Sequence, residues 1–138
     1  TTYNIDAGGL TLSAPVDLYP NITAFVSRFY QQCLGRSADS AGLADWVTNL
    51  STGKQSGANV AYGFIFSPEF TAKNVSNDTY VKILYRAFFN RDPDPTGYAN
   101  WMNQLNAGVS RRSVLSGFVN SDEFRNLCGA YGITPGTL

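Results

Sequence analysis

Two stretches of the chain carry one pattern: FVSRFYQQCLGRSADSAGLADWVTNL at 25–50 and YVKILYRAFFNRDPDPTGYANWMNQL at 80–105. At an offset of 55 residues they share the pairs Tyr30 and Tyr85, Arg36 and Arg91, Asp39 and Asp94, Gly42 and Gly97, Trp46 and Trp101, and Leu50 and Leu105. At an offset of 54 the register continues, with Gly63, Phe64, Ser67, Glu69 and Phe70 over Gly117, Phe118, Ser121, Glu123 and Phe124. Matches kept in register over so long a stretch indicate an internal duplication.

Each copy has the apolar spacing of four short helices. In the first copy, apolar side chains at 22, 25, 26, 29, 30, 33 and 34 follow alternating steps of three and one, which is typical of one helix face. Gly35 and Asn90 follow this helix in the two copies, and both residue types accept the left-handed conformation that ends a helix. In each copy a second helix is predicted to contain the tryptophan, Trp46 or Trp101, and to end at a glycine, Gly53 or Gly108. Serine caps are predicted for the third and fourth helices, at Ser56, Ser67, Ser110 and Ser121.

The predicted fold class is therefore all-α. We expect two tandem four-helix repeats packed into one globular helical domain, preceded by an extended N-terminal lead-in. The single domain spans 1–138, with the lead-in at 1–20, repeat one at 21–76, repeat two at 77–128 and a packed C-terminal tail at 129–138. The lead-in contains Gly8-Gly9 and two prolines, and it has room for a short strand pair.

Composition excludes several classes of function. The 138 residues suit one domain, and an apolar share of 43% is too high for disorder. Ten basic residues balance ten acidic ones, which argues against a nucleic-acid partner. The absence of histidine removes Ser-His, Cys-His and His-metal chemistry. No apolar run is long enough to span a membrane, so we expect no membrane span, and no motif calls for a cofactor.

The repeated pattern resembles a known bacterial family, the domain-of-unknown-function family 4214. Its members read roughly FV..LY...LGR..D..G...W...L..G and then F..S.EF, and the resemblance covers about residues 22–128. Copy two departs from it at Phe89 and Asn90, both tolerable substitutions. The resemblance implies an all-helical module of secreted or cell-surface proteins, often attached to polysaccharide-degrading enzymes or adhesins, with a distant similarity to the phycobilisome linker module. It implies no catalytic residues.

The duplicated polar residues are predicted to be structural. Asp39 and Asp94 would cap the second helix of each copy, while Arg36 and Arg91 pair with a nearby acid or carbonyl. A calcium loop would need an acidic twelfth ligand where Asn103 stands, so no metal site is predicted.

The other duplicated candidates receive the same interpretation. Glu69 and Glu123 could suggest a glycosidase pair, but a duplicated position in the first turn of a helix more often serves the helix dipole. Trp46 and Trp101 could stack on sugars, but they lie on apolar helix faces and are predicted to pack against the core. We expect no enzymatic activity.

The positions where the copies differ are more informative. Tyr62 and Phe66 lie one turn apart on the third helix, and copy two has Ser116 and Asn120 instead. Either another part of the chain covers the two rings, or they form an exposed ligand-binding patch. In the second case the neighbouring Asn59 and Gln55 could bind hydroxyl groups.

Cys33 and Cys128 have no counterparts in the opposite copy, so neither is required by the repeat. We expect a disulfide between them, as a secreted setting favours. The alternative is two buried free thiols.

Together these observations predict a non-catalytic accessory module of a secreted or cell-surface bacterial protein, within a larger multidomain chain. Its expected partner is a polysaccharide or cell-surface glycan. The alternative is a structural or protein-docking spacer module without a small ligand.

Overall fold

The structure is a computed structural model that describes the backbone of residues 3–7 and 9–12 and all of residues 18–138. Strand β1 (Tyr3–Ala7) pairs antiparallel with β2 (Gly9–Leu12), with Ile5 opposite Leu10. The lead-in therefore contains a strand pair, and its positions 1, 2, 8 and 13–17 lie outside the described residues.

Repeat one consists of four helices. Their bounds are α1 (Pro20–Phe29), continued by a π turn (Tyr30–Leu34), then α2 (Ser40–Ser51), α3 (Gly57–Ile65) and α4 (Pro68–Thr71). The π turn ends at Gly35, which has a φ of 68°, as predicted for a left-handed helix end. Ser56 and Asn59 form a reciprocal capping box at the start of α3.

Repeat two has the same order of elements. Their bounds are α5 (Asn77–Leu84), continued by a second π turn (Tyr85–Phe89), then α6 (Pro95–Asn106), α7 (Arg111–Val119) and α8 (Asp122–Tyr131). This π turn ends at Asn90, with a φ of 56°. The last helix is ten residues long where its counterpart α4 has four. The tandem four-helix architecture predicted from the sequence is confirmed.

One apolar core joins the two repeats. Phe29 of repeat one and Phe88 of repeat two lie with ring centroids 5.2 Å apart, and Phe25 lies 6.2 Å from Phe124. All four rings are fully buried. Burial of apolar surface at this shared interface stabilises both copies together.

The C-terminal tail packs against both repeats. The backbone N–H groups of Gly57 and Ala58, at the start of α3, donate to the carbonyls of Thr134 and Pro135 at 2.8 Å each. At its end, the carbonyl of Leu138 accepts from side chains of repeat two. The tail thus satisfies helix-terminal donors of repeat one that would otherwise lack a partner.

The predicted disulfide is wrong: Cys33 and Cys128 are both free and buried. The helix ends that carry them do not bring the sulfurs together. Cys33 lies near Lys73 and Tyr80. The sulfur of Cys128 lies beside Gly57, where a Cβ atom would be only 2.9 Å away. Burial raises the pKa of each thiol to about 12.

In the part of the chain that the structure describes, no helix is long and apolar enough to cross a membrane.

Candidate functional site

The repeated arginines form the same ion-pair network in both copies. Arg36 binds Glu69 through two hydrogen bonds, of 2.8 and 3.0 Å, and contacts Asp39 at 3.2 Å. In repeat two, Arg91 binds Glu123 at 3.0 and 2.9 Å. Each bidentate pair ties the loop before the second helix to the first turn of the fourth. The network braces the repeat, in line with a structural role for the motif.

The two aspartates of the motif differ in their contacts. Asp94 accepts a hydrogen bond of 2.8 Å from the Gly97 backbone N–H and so caps α6. This hydrogen bond, followed by the contact with Arg91, holds the pKa of Asp94 below its usual range. Asp39 stands at the corresponding cap position but makes no side-chain cap bond, contrary to the prediction. Its carboxylate is instead turned to the guanidinium of Arg36.

The tryptophans pack against the core but remain partly exposed. Trp46 lies over Gly63 and has its ring centroid 6.0 Å from Phe64. Trp101 lies over Gly117 in the same way. The glycine repeated on the third helix is therefore the position that lets each indole approach the helix closely.

The first candidate binding surface is the Tyr62–Phe66 patch, formed by Tyr62 on α3 and Phe66 at the C-cap of that helix. The two ring centroids are 4.8 Å apart, and Tyr62 is 42% exposed while Phe66 is half-buried. The guanidinium of Arg112, from α7, lies 5.2 Å from the Tyr62 ring. Among the described residues, Tyr62 is exposed and Phe66 is partly buried against the core. Cover by the lead-in, which is the other alternative, falls on residues whose side chains lie outside the described part of the chain.

A small pocket of about 120 Å³ adjoins this patch. Phe66 contributes to its wall, with Asn74 and Tyr80 also lining it. Arg111 closes one side, with its guanidinium 4.7 Å from the Tyr80 ring and a hydrogen bond of 2.7 Å to the Val75 carbonyl. The patch therefore continues into a recess at the junction of the two repeats.

The counterparts of the two rings in repeat two have a different role. Ser116 donates to the carbonyl of Leu138 at 2.9 Å, and the Asn120 amide donates to the same carbonyl at 3.1 Å. The C-terminal tail thus covers this face in repeat two, whereas in repeat one the corresponding face carries the aromatic pair.

The two predicted polar neighbours contribute less than expected. The side-chain oxygen of Asn59 is engaged by the backbone N–H and hydroxyl of Ser56, at 2.9 and 2.8 Å. That oxygen is therefore committed to the capping box. Gln55 precedes the cap and is half-buried. The polar side chains that the structure brings to the rings are Arg112, over Tyr62, and Arg111, which lines the recess with Phe66; neither was predicted from the sequence.

A second hollow, of about 180 Å³, lies in repeat one beside the ion-pair network. Its walls include Trp46, Phe64 and the aliphatic side chain of Leu34. This hollow was not predicted from the sequence, where Phe89 counts only as a tolerable departure from the leucine of the family pattern. That single mismatch was the signal that could have located it.

In the described region, no group of three or more Cys, Asp or Glu side chains is placed so that it could hold a metal ion.

The fold and these surfaces define the class: a helical module made of two copies of one four-helix unit. The family described as Domain of unknown function (DUF4214) matches residues 19–74 and, in a second overlapping segment, residues 61–128. The chain belongs to this family. Comparison with curated proteins and with solved structures found no match.

Proposed function

We propose that the chain is a non-catalytic carbohydrate-binding module that holds a polysaccharide or cell-surface glycan on the Tyr62–Phe66 patch. The observation that supports this is the pair of adjacent rings, with Tyr62 exposed and Phe66 half-buried, beside a recess that Phe66 lines. One face of a sugar ring is lined by C–H groups, which pack on an aromatic face and lose contact with water there. The surrounding amide and guanidinium groups can bind hydroxyl oxygens.

The positive charge of Arg112 beside the patch indicates which class of sugar should bind there. Arg112 is exposed and, among the described residues, forms none of the ion pairs. Its guanidinium, which lies 5.2 Å from the Tyr62 ring, can therefore bind an anionic group without breaking an ion pair. Polysaccharides that carry carboxylate or sulfate groups should bind more tightly than neutral ones, and added salt should weaken that preference.

The absence of catalysis is part of the proposal. Glu69 and Glu123, the carboxylate pair that could suggest a glycosidase, are each held by an arginine through two hydrogen bonds. A general acid needs a carboxyl group whose pKa is raised, yet Arg36 lowers the pKa of Glu69. We also propose that the module is secreted or displayed at a bacterial cell surface, within a larger multidomain protein, as the settings of similar repeats imply.

The test is calorimetric titration of the module with neutral and uronate-containing oligosaccharides. Tyr62→Ala and Phe66→Ala should each weaken binding at least tenfold, on the order of the contribution of a well-placed aromatic anchor. Tyr19→Ala is the matched control, because Tyr19 has the same exposed fraction of 42%. Absence of binding to every sugar, or equal binding by all three variants, would overturn the proposal.

A further inference from the structure

The hollow in repeat one differs from the Tyr62–Phe66 patch in place and in composition. Arg36 and Glu69 stand at its rim, with side chains 36% and 45% exposed. Its walls are aromatic, formed by Tyr30, Trp46 and Phe64. A hollow of about 180 Å³ is large enough for one side chain.

We call the tyrosine, phenylalanine and motif arginine around the hollow its frame, and repeat two contains the same frame at the equivalent place. The Tyr30 and Phe64 ring centroids are 4.8 Å apart at 83°, and those of Tyr85 and Phe118 are 5.1 Å apart at 89°. The guanidinium of each motif arginine lies over its tyrosine ring, at 5.3 Å in repeat one and 5.1 Å in repeat two. The two frames can therefore be compared group by group.

One side chain distinguishes the two frames. Repeat two has Phe89 where repeat one has Leu34. The ring of Phe89 stacks on Phe118, with centroids 5.3 Å apart and planes at 21°, and the guanidinium of Arg91 lies 5.5 Å from it. In repeat two, a phenyl ring thus occupies the slot between the core phenylalanine and the arginine.

The position of the tryptophan relative to the core phenylalanine also differs between the two copies. Trp101 lies 4.8 Å from Phe118, whereas Trp46 lies 6.0 Å from Phe64 at the same interplanar angle of 32°. The wall of repeat one stands further from its core ring than the wall of repeat two does.

We propose that the hollow of repeat one is a docking site for a phenylalanine side chain of a partner polypeptide. The ring would lie between Phe64 and Arg36, as the ring of Phe89 lies between Phe118 and Arg91. An aromatic ring fits better than a branched aliphatic group, because it can stack on the Phe64 ring and because a guanidinium attracts the face of a π system. The rim pair, Arg36 and Glu69, is exposed enough to bind the partner's main-chain carbonyl and N–H groups.

The experiment follows backbone amide signals by NMR during titration with N-acetyl-phenylalanine amide. N-acetyl-leucine amide serves as the matched probe. We expect shifts at Gly63 and Ser67, which line the hollow, and binding at least several-fold weaker for the leucine probe. Leu34→Phe, which copies repeat two, should fill the slot and abolish these shifts. Its thermal midpoint should equal or exceed that of the wild type.

The reciprocal variant is Phe89→Leu. It should open a second slot in repeat two, so that the same probe now also shifts the amides of Gly117 and Ser121.

Three results would overturn this proposal: unchanged shifts in Leu34→Phe, a clearly lower melting temperature for that variant, or equal binding of both probes. Cellotetraose tests the other occupant, and shifts at Gly63 from this sugar without shifts from the phenylalanine probe would also overturn it. Neither substitution touches Tyr62 or Phe66, so the result is independent of glycan binding at the Tyr62–Phe66 patch.

Discussion

The glycine repeated on the third helix gives a sharp prediction, because the two copies differ in the space around it. A Cβ atom at Gly117 would lie 2.6 Å from the Trp101 ring. At Gly63 the corresponding contacts with Trp46 are 3.3 and 3.4 Å. Carbon atoms pack best at about 3.5–4.0 Å, so alanine would displace Trp101 by roughly 1 Å but Trp46 by only a few tenths.

The expected energies follow from two opposing effects. Replacing a helical glycine with alanine gains about 0.5–1 kcal/mol of helix stability at either position. Overpacking costs about 1–3 kcal/mol where the neighbour has to move substantially. Gly117→Ala should therefore destabilise the module by about 1–2 kcal/mol, whereas Gly63→Ala should lie within about 0.5 kcal/mol of the wild type.

The assay is urea unfolding of both variants, followed by tryptophan fluorescence, with thermal midpoints as a second measure. Gly117→Ala should lower the melting temperature by several degrees. The double variant Gly117→Ala with Trp101→Phe should recover part of the loss, relative to Trp101→Phe alone, because a smaller ring leaves room for the methyl group. Equal stability of the two alanine variants would refute the argument from close approach.

Three further predictions concern stability. Asn90 has a φ of 56°, in the left-handed region that glycine adopts without strain. Asn90→Gly should therefore leave the free energy of unfolding by urea unchanged or raise it slightly, while Asn90→Ala should lower it by about 1 kcal/mol. Equal effects of the two substitutions would contradict backbone strain at this position. Since Arg36 lowers the pKa of Glu69 below its ordinary 4.5, the stability due to this pair is present above pH 4.5 and lost as the pH falls further. Glu69→Gln should flatten acid unfolding in that range, and an unchanged acid profile would count against the pair. Cys33 and Cys128 should stay unreactive to a thiol reagent at pH 8 and yield two thiols after unfolding. Rapid labelling of the native protein would be inconsistent with burial of the two thiols. Because burial raises the pKa of both thiols from 9 to about 12, the stability of the folded protein should fall as the pH rises above 9.

Local sequence signals predicted the helix ends well. Ser56, Ser67 and Ser121 cap helices through hydrogen bonds to the backbone three residues on, which depend only on neighbouring residues. The left-handed ends at Gly35 and Asn90 likewise follow from local backbone sterics. Features of this kind can be predicted because they need no knowledge of the tertiary structure.

Contacts distant in sequence were harder to predict. Arg36 and Glu69 are 33 residues apart, and nothing in their spacing pairs them before the helices are placed. The disulfide prediction was wrong for the same reason, because the sequence does not determine whether the helix ends that carry Cys33 and Cys128 lie close together. The Tyr62–Phe66 patch was located by comparing the copies, but its exposure depended on where the C-terminal tail lies.

The C-terminal tail also determines whether the two repeats should unfold together or separately. Because Thr134 and Pro135 accept hydrogen bonds from the first turn of α3, repeat one depends on a segment that follows repeat two. Many tandem-repeat proteins lose their units one after another from an end, since each unit contacts only its neighbours. Here each repeat depends on contacts with the other, because the C-terminal tail connects the end of repeat two to repeat one. Denaturation should therefore proceed as a single cooperative transition, in which neither repeat stays folded after the other has unfolded.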